Sequence, residues 1–260
     1  MKTRVLSGLI LAPLLVIVYF GGWPLLIGSF IICTVSIHEF FSGFKKLEIR
    51  PSSGIAYAGV LLLYMTAAIG AGPGYYMAWL FFVVFMSMLY LFKIAERSLN
   101  DAMATIIGLV YVAFFSVHVV LIDHVKGYEH LIWLVFLAAF GTDTMAYFSG
   151  FLFGKHKLCP DISPKKTVEG AIGGTIGSIL LCSLFGYFLA PDLFFHCMAI
   201  GFIGSVVAQF GDLTASIFKR KMGIKDYGNL IPGHGGMLDR FDSIIFTAPF
   251  VYYYITLVIL

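Results

Sequence analysis

Apolar runs of about 20 residues recur from one end of the chain to the other, and no other feature limits the fold so strongly. A run of that length crosses the hydrocarbon of a bilayer as one helix. In lipid every backbone polar group must find its partner within the protein, so only helices and closed barrels span. The alternating pattern of a barrel strand is absent. Composition agrees: 60% of residues are hydrophobic and 12% are charged, against about a quarter charged in a soluble domain. The expected fold is all-α, a polytopic transmembrane helix bundle forming a single integral membrane domain over residues 1–260. Nine spans are expected, at about 5–20, 23–43, 55–71, 75–92, 102–122, 131–152, 170–190, 193–215 and 243–260. Lys2 and Arg4 precede the first apolar run, as in a signal peptide. No small-residue cleavage pattern follows it, and Gly21-Gly22-Trp23-Pro24 reads as an interfacial turn, so the helix is expected to be retained.

The basic residues orient the spans. With the N-terminus in the cytoplasm, Lys45, Lys46 and Arg50 fall inside, as do Lys93 and Arg97, Lys155 to Lys166, and Lys219 to Arg240. Only Lys126 of the 17 basic residues is left outside. The C-terminus is then outside, and two long polar stretches, Lys155–Gly170 and Ser216–Asp242, share the cytoplasmic face. Cys33, Cys159, Cys182 and Cys197 show no C-x-x-C spacing and mostly lie in apolar runs. They are expected as buried thiols, in neither a disulfide nor a zinc site.

Acids inside spans are the first candidates for chemistry. Asp143 lies in L-A-A-F-G-T-D-T-M-A-Y-F and Asp212 in V-A-Q-F-G-D-L-T. An ionisable group at membrane depth costs a few kcal/mol and marks a functional position by default. A helix-packing hydrogen bond is the plainer role for each. In S-P-K-K-T-V-E-G, Ser163 before Pro164 predicts the start of the seventh span, with Thr167 and Glu169 in its first turn. Lys165 and Lys166 are misplaced at the positive end of a helix unless an anion joins them, and phosphate is the natural guest. Positive-inside bias or contact with anionic lipid explains them equally well.

The longest hydrophilic interruption is Ser216–Asp242, S-I-F-K-R-K-M-G-I-K-D-Y-G-N-L-I-P-G-H-G-G-M-L-D-R-F-D. Asp239 and Asp242 open the last span, where capping is their plainer role. Asp212 and Asp239 end consecutive spans on one face, and magnesium is held by one or two carboxylates together with substrate oxygens. The glycines of P-G-H-G-G let backbone approach a phosphate. His234 offers a donor to a phosphate oxygen or a loop hydrogen bond. A phosphate-binding G-x-x-x-x-G-K-[ST] loop and the H-E-x-x-H zinc motif are absent, and G-x-S-x-G occurs only in broken form at Gly201 to Gly211.

These residues resemble the phosphatidate cytidylyltransferases, also called CDP-diacylglycerol synthases. The signature S-x-F-K-R, four residues, K-D-x-G, P-x-H-G-G and D-R-F-D is met without a gap by Ser216 to Asp242. D-x-x-A-Y-F at Asp143 to Phe148, S-P-K-K-T-x-E-G at Ser163 to Gly170, Q-x-G-D-L at Gln209 to Leu213 and the N-terminal G-G-W-P and H-E-F extend the likeness along the chain. Cys159 and Asp161 depart from it mildly.

The resemblance implies transfer of the cytidylyl group of CTP to phosphatidate, giving CDP-diacylglycerol and pyrophosphate in phospholipid biosynthesis. It implies an integral enzyme of a bacterial-type cytoplasmic membrane, with CTP, phosphatidate and membrane lipid as partners and no nucleic acid; a homodimer stays open. Asp212 and Asp239 are then the magnesium ligands, with a second cation left open. Lys165, Lys166, Lys219, Arg220 and Arg240 gather phosphates, and Ser163, Lys225 and His234 join them in substrate binding. Asp143 lines the polar cavity and orients a cation or a lysine, while Gly235 and Gly236 allow close backbone contact. A CTP-dependent lipid kinase and a cytidylyltransferase for another lipid phosphate are the near alternatives. An ion-coupled transporter, the remote one, is disfavoured by the absence of paired halves.

Overall fold

The computed structural model describes residues 14–230 and 235–260. Residues 14–20 are helical, and a turn follows in which Gly21 and Gly22 have positive φ. The Gly22 N–H donates to Asp123 Oδ2 at 2.7 Å, which ties this interfacial turn to the end of a later helix. The helices that follow are α1 (Gly22–Phe44), α2 (Ser53–Ala68), α3 (Pro73–Leu89), α4 (Leu99–Gly108) and α5 (Phe115–Asp123). A π turn at Leu109–Phe114 joins α4 and α5 into one crossing. Then come α6 (Ile132–Phe153), a hairpin of β1 (Lys157–Cys159) and β2 (Ser163–Thr167), α7 (Val168–Leu189), α8 (Phe194–Lys221) and α9 (Leu238–Tyr254).

Among the described residues seven helices are long and apolar enough to cross a membrane, and α2 is a shorter apolar helix. Seven of the nine expected spans are thus met by helices of spanning length among the described residues. Most of the first expected span lies outside the described residues. The third, expected at 55–71, stops at Ala68 because Gly70 takes φ +62° and the Ala71 N–H turns back to Thr66 O, a glycine stop. Local chemistry sets the helix starts. Ser52 caps α2, Pro73 opens α3, and Ser98 with Asp101 forms a capping box on α4. Large apolar side chains such as Phe81, Phe151, Leu180 and Leu257 point outward. In water such a surface would drive aggregation; against lipid tails it costs nothing.

The chain forms two compact units. The first comprises residues up to His124 together with Lys221–Arg240. Its core includes Phe40, whose ring lies 5.3 Å from Phe44, 5.6 Å from Tyr111 and 5.9 Å from Tyr227. Trp79 Nε1 donates to Gly59 O at 2.7 Å and pins α3 to α2. The second unit comprises Val125–Arg220 and Phe241–Leu260. In it α6 and α7 approach backbone to backbone. A Cβ on Gly170 would stand 2.9 Å from Ala146 O, and one on Gly174 would stand 2.9 Å from Thr142 O. Gly170 and Gly174, and again Gly173 and Gly177, are four apart, the small-xxx-small spacing that lets membrane helices close on each other. Cys33, Cys182 and Cys197 are buried free thiols, and Cys159 is a half-buried one in β1.

Candidate active site

The connection between α6 and α7 is an antiparallel hairpin in which Lys157 pairs with Thr167 and Cys159 with Ser163. The expected helix start at Ser163 is thus a strand; α7 begins at Val168. Thr167 is its cap, with Oγ1 accepting the Gly170 N–H at 3.1 Å. Pro164 explains the shift, since the residue before a proline is driven to extended backbone. Glu169, in the first turn, accepts the N–H groups of Lys155 at 3.0 Å and His156 at 3.2 Å, and pairs with His156 Nδ1 at 2.6 Å. That carboxylate fixes the entry of the hairpin against the helix.

Lys165 and Lys166 precede the helix in β2. Lys166 forms a salt bridge to Asp212 of α8. Both residues line a cavity of about 540 Å³ with Asp143, Lys157, Lys165 and Gln209. Asp143 Oδ2 accepts the hydroxyl of Ser243 from α9 at 2.9 Å. Asp242, one residue earlier, is buried and interacts electrostatically with Asp212, Lys219 and Asp143. Arg220 Nε donates to Ile162 O at 3.3 Å and holds the hairpin tip to the end of α8. The second unit therefore gathers Asp143, Lys165, Lys166, Asp212 and Lys219 from the sequence-derived set. Ser163 is half-buried in the hairpin ladder, and Arg220 braces that hairpin.

The other predicted residues belong to the first unit. Ser216–Lys221 is still helix and Leu238–Asp242 is helix again, so the expected loop of Ser216–Asp242 is shorter at both ends. Lys46 Nζ donates to Gly223 O at 3.2 Å, and Met222 fills the space beside Gly43. Asp239 is buried, and its Oδ2 accepts the N–H groups of Tyr227 at 2.8 Å and Gly236 at 2.9 Å. Glu39 of α1 accepts the N–H groups of Met237 at 3.0 Å and Leu238 at 2.9 Å. The close approach that Gly235 and Gly236 permit is to these two carboxylates. A Cβ on Gly236 would stand 2.5 Å from Glu39 Oε2, and Gly235 holds φ +87° with Asp239 Oδ2 at 2.9 Å from the Cβ position. Lys225 is exposed. Arg240 has its Nε buried with no hydrogen-bond partner among the described residues. His234 lies outside the described residues. The expected metal pair, Asp212 and Asp239, is thus divided between the two units.

Two acids were absent from the sequence-derived site. Asp242 reads in the sequence as a cap, although D-R-F-D puts it one helical turn after Asp239. Glu39 had its signal in H-E-F, an acid inside an apolar span of the kind singled out elsewhere. The donors suit a hard cation, since the second unit brings the carboxylates of Asp143 and Asp212 into electrostatic reach of Asp242. Among the described residues no three His, Cys, Asp or Glu side chains converge as a protein-only metal cage. A magnesium ion here would draw its remaining ligands from phosphates and water, its usual habit.

The model of the cytidylyltransferase family matches residues 2–258. A protein named phosphatidate cytidylyltransferase from Staphylococcus haemolyticus is 34% identical over 253 residues, 96% of each chain. One of the same name from Bacillus subtilis is 32% identical over 271 residues, 99% of this chain and 98% of that one. With a family-wide match along its length, and the basic and acidic residues of its second unit drawn to one cavity, this chain belongs to the cytidylyltransferase family.

Proposed function

We propose that this integral membrane protein transfers the cytidylyl group of CTP to phosphatidate, giving CDP-diacylglycerol and pyrophosphate. The observation that carries the proposal is the cavity of the second unit. There Lys157, Lys165 and Lys166 of the hairpin meet Asp143 and Asp212 of two apolar helices, where a lipid phosphate and a soluble triphosphate can both arrive.

A phosphate oxygen of phosphatidate forms a bond to the α-phosphorus of CTP. The bond from that phosphorus to the bridging oxygen breaks, and pyrophosphate leaves with the electron pair. A phosphate monoester has a second pKa of about 6, so the attacking oxygen is largely ionised at neutral pH and needs no protein base. The protein must align the reactants in line and offset their mutual repulsion. Lys165 and Lys166 bind phosphates, and Asp212 holds the Lys166 ammonium at the cavity wall. Lys219, Lys225, Arg220, Arg240, Ser163 and His234 complete phosphate and nucleotide binding. Asp143, held by Ser243, lines the cavity and orients a cation or a lysine. Asp212 and Asp239 would hold magnesium, which supplies charge neutralisation between the two anions when bound. The loops that bear these residues lie on the cytoplasmic side.

The test is purified protein in detergent with labelled CTP, phosphatidate and magnesium. A labelled CDP-lipid and stoichiometric pyrophosphate are expected. CDP with a phosphorylated lipid would overturn the proposal in favour of a kinase. Chelation with EDTA should abolish turnover and added magnesium restore it; undiminished turnover in EDTA would remove the metal from the scheme.

A further inference from the structure

An apolar groove of about 490 Å³ runs along the outer side of α7 and α8 and joins the charged cavity, sharing Ala171 and Gln209 with it. Ile172, Ile176 and Ile179 form one wall; Phe202 and Val206 form the other. At one end the groove shares its lining with the cavity, and beside Ile179 at the other end the two helices cross. At Gly201 the two helices touch: a Cβ there would stand 2.9 Å from Ser178 O and 3.0 Å from Ile179 Cα. The Ser178 hydroxyl donates to Gly201 O at 2.9 Å and locks the crossing. At the cavity end Gln209 Nε2 donates across to Ala171 O at 3.3 Å and Thr175 Oγ1 at 3.2 Å. Ser205 adds a bond to Thr175 at 3.0 Å, so polar pairs form a fixed floor beneath apolar walls. Ala171 to Ile179 spans eight helical rises, or about 12 Å of groove.

We infer that this groove holds the proximal part of one acyl chain of the lipid phosphate, and that its walls set the chain-length preference of the enzyme. The inference rests on the lipid substrate proposed above. Continuity fixes the occupant. A lipid whose phosphate is bound at Lys165 and Lys166 must lead its chains away from a charged cavity, and this is an apolar exit that begins at the cavity's own lining. Bulk lipid has no reason to prefer a slot that ends at a helix crossing. A substrate chain anchored at its head group does, because each methylene laid in the slot adds to binding.

Ile176→Trp and Val206→Trp test this. Both side chains are about half exposed, at 53% and 52%, so a larger side chain fills the groove without overpacking a core. Expected is a fall of at least about tenfold in kcat/KM for dioleoyl phosphatidate. Turnover of dihexanoyl phosphatidate should stay within twofold, and the KM for CTP should not move. Leu180→Trp, on an outward-facing site beyond the groove lining, should change none of these. Equal loss with both lipids, or no loss with either, overturns the inference.

A second measurement needs no variant. Phosphatidate with a diazirine midway along one chain should label residues 172–179 and 202–206. Unlabelled phosphatidate should compete and phosphatidylcholine should not. Label elsewhere, or equal competition by both lipids, also overturns it. If the wild-type protein makes no CDP-lipid, the proposed function fails, and the labelling still reports separately on the groove.

Discussion

Lys166 sits one residue before the Thr167 cap of α7, and its ammonium is spoken for by Asp212 of α8. The pair joins β2 to α8 and places a positive charge at the cavity wall. Lys166→Met should leave a folded, membrane-inserted protein and lower kcat/KM by at least about 100-fold. Monodispersity in detergent and turnover with CTP check the two halves. Asp239→Asn should lower cytidylyl transfer by at least about 100-fold as well. The amide oxygen of Asn can still accept from Tyr227 and Gly236, so the loop persists and the formal charge is what is lost. Near-normal turnover at saturating magnesium would overturn the proposal that it is a metal ligand.

Glu39 makes the opposite case, a structural acid. The residue is 6% exposed, and its carboxylate accepts two backbone N–H groups at the start of α9. Glu39→Ala would strand both donors, at about 3 kcal/mol, and Glu39→Gln, which keeps one acceptor, should cost less. Thermal melting in detergent should order the three proteins accordingly; equal midpoints would contradict the role.

At the scale of elements, the α6–α7 pair positions the site because glycine lets it close. Val at Gly174 would meet Thr142 O and push the helices apart. Gly174→Val should therefore destabilise by about 1–3 kcal/mol and lower activity with it, since Asp143 and the hairpin both depend on this pair. A melting midpoint unchanged from wild type would show that the close packing is not needed. The helices were legible because a run of about 20 apolar residues has few alternatives in lipid, and their caps were legible because serine, threonine and proline act locally. The hairpin was not. Five residues with two lysines show no strand periodicity, and what makes them extended is Pro164 acting backward with Glu169 reaching from the next helix. Asp143 and Asp212 stood out as acids in apolar runs. Their partners did not, because Ser243 and Lys166 are distant in sequence and ordinary in composition.

For the whole molecule, the distribution of charge constrains how often the chain crosses the membrane. α2 has 16 residues, about 24 Å of helix against a hydrocarbon core of about 30 Å. By length alone it is marginal. Suppose it does not cross. Lys45, Lys46 and Arg50 then fall on the same side as Lys126, and on the opposite side from Lys93, Arg97 and the basic residues of 155–166 and 219–240. If it crosses, only Lys126 of the 17 is separated from the rest. The second arrangement is the one that positive-inside bias selects. The shortfall of a few ångströms is made up by local thinning or by interfacial residues at modest cost.

Single cysteines introduced by Lys45→Cys, Lys93→Cys and Lys126→Cys, in a background with the native cysteines replaced, decide between the two. Only the Lys126 site should react with an impermeant maleimide from outside intact cells. The other two should react only after lysis. Reaction at position 45 together with 126 would mean that α2 does not cross. Reaction at 93 without 126 would invert the orientation and put the hairpin proposed to bind phosphate on the side where CTP is not made.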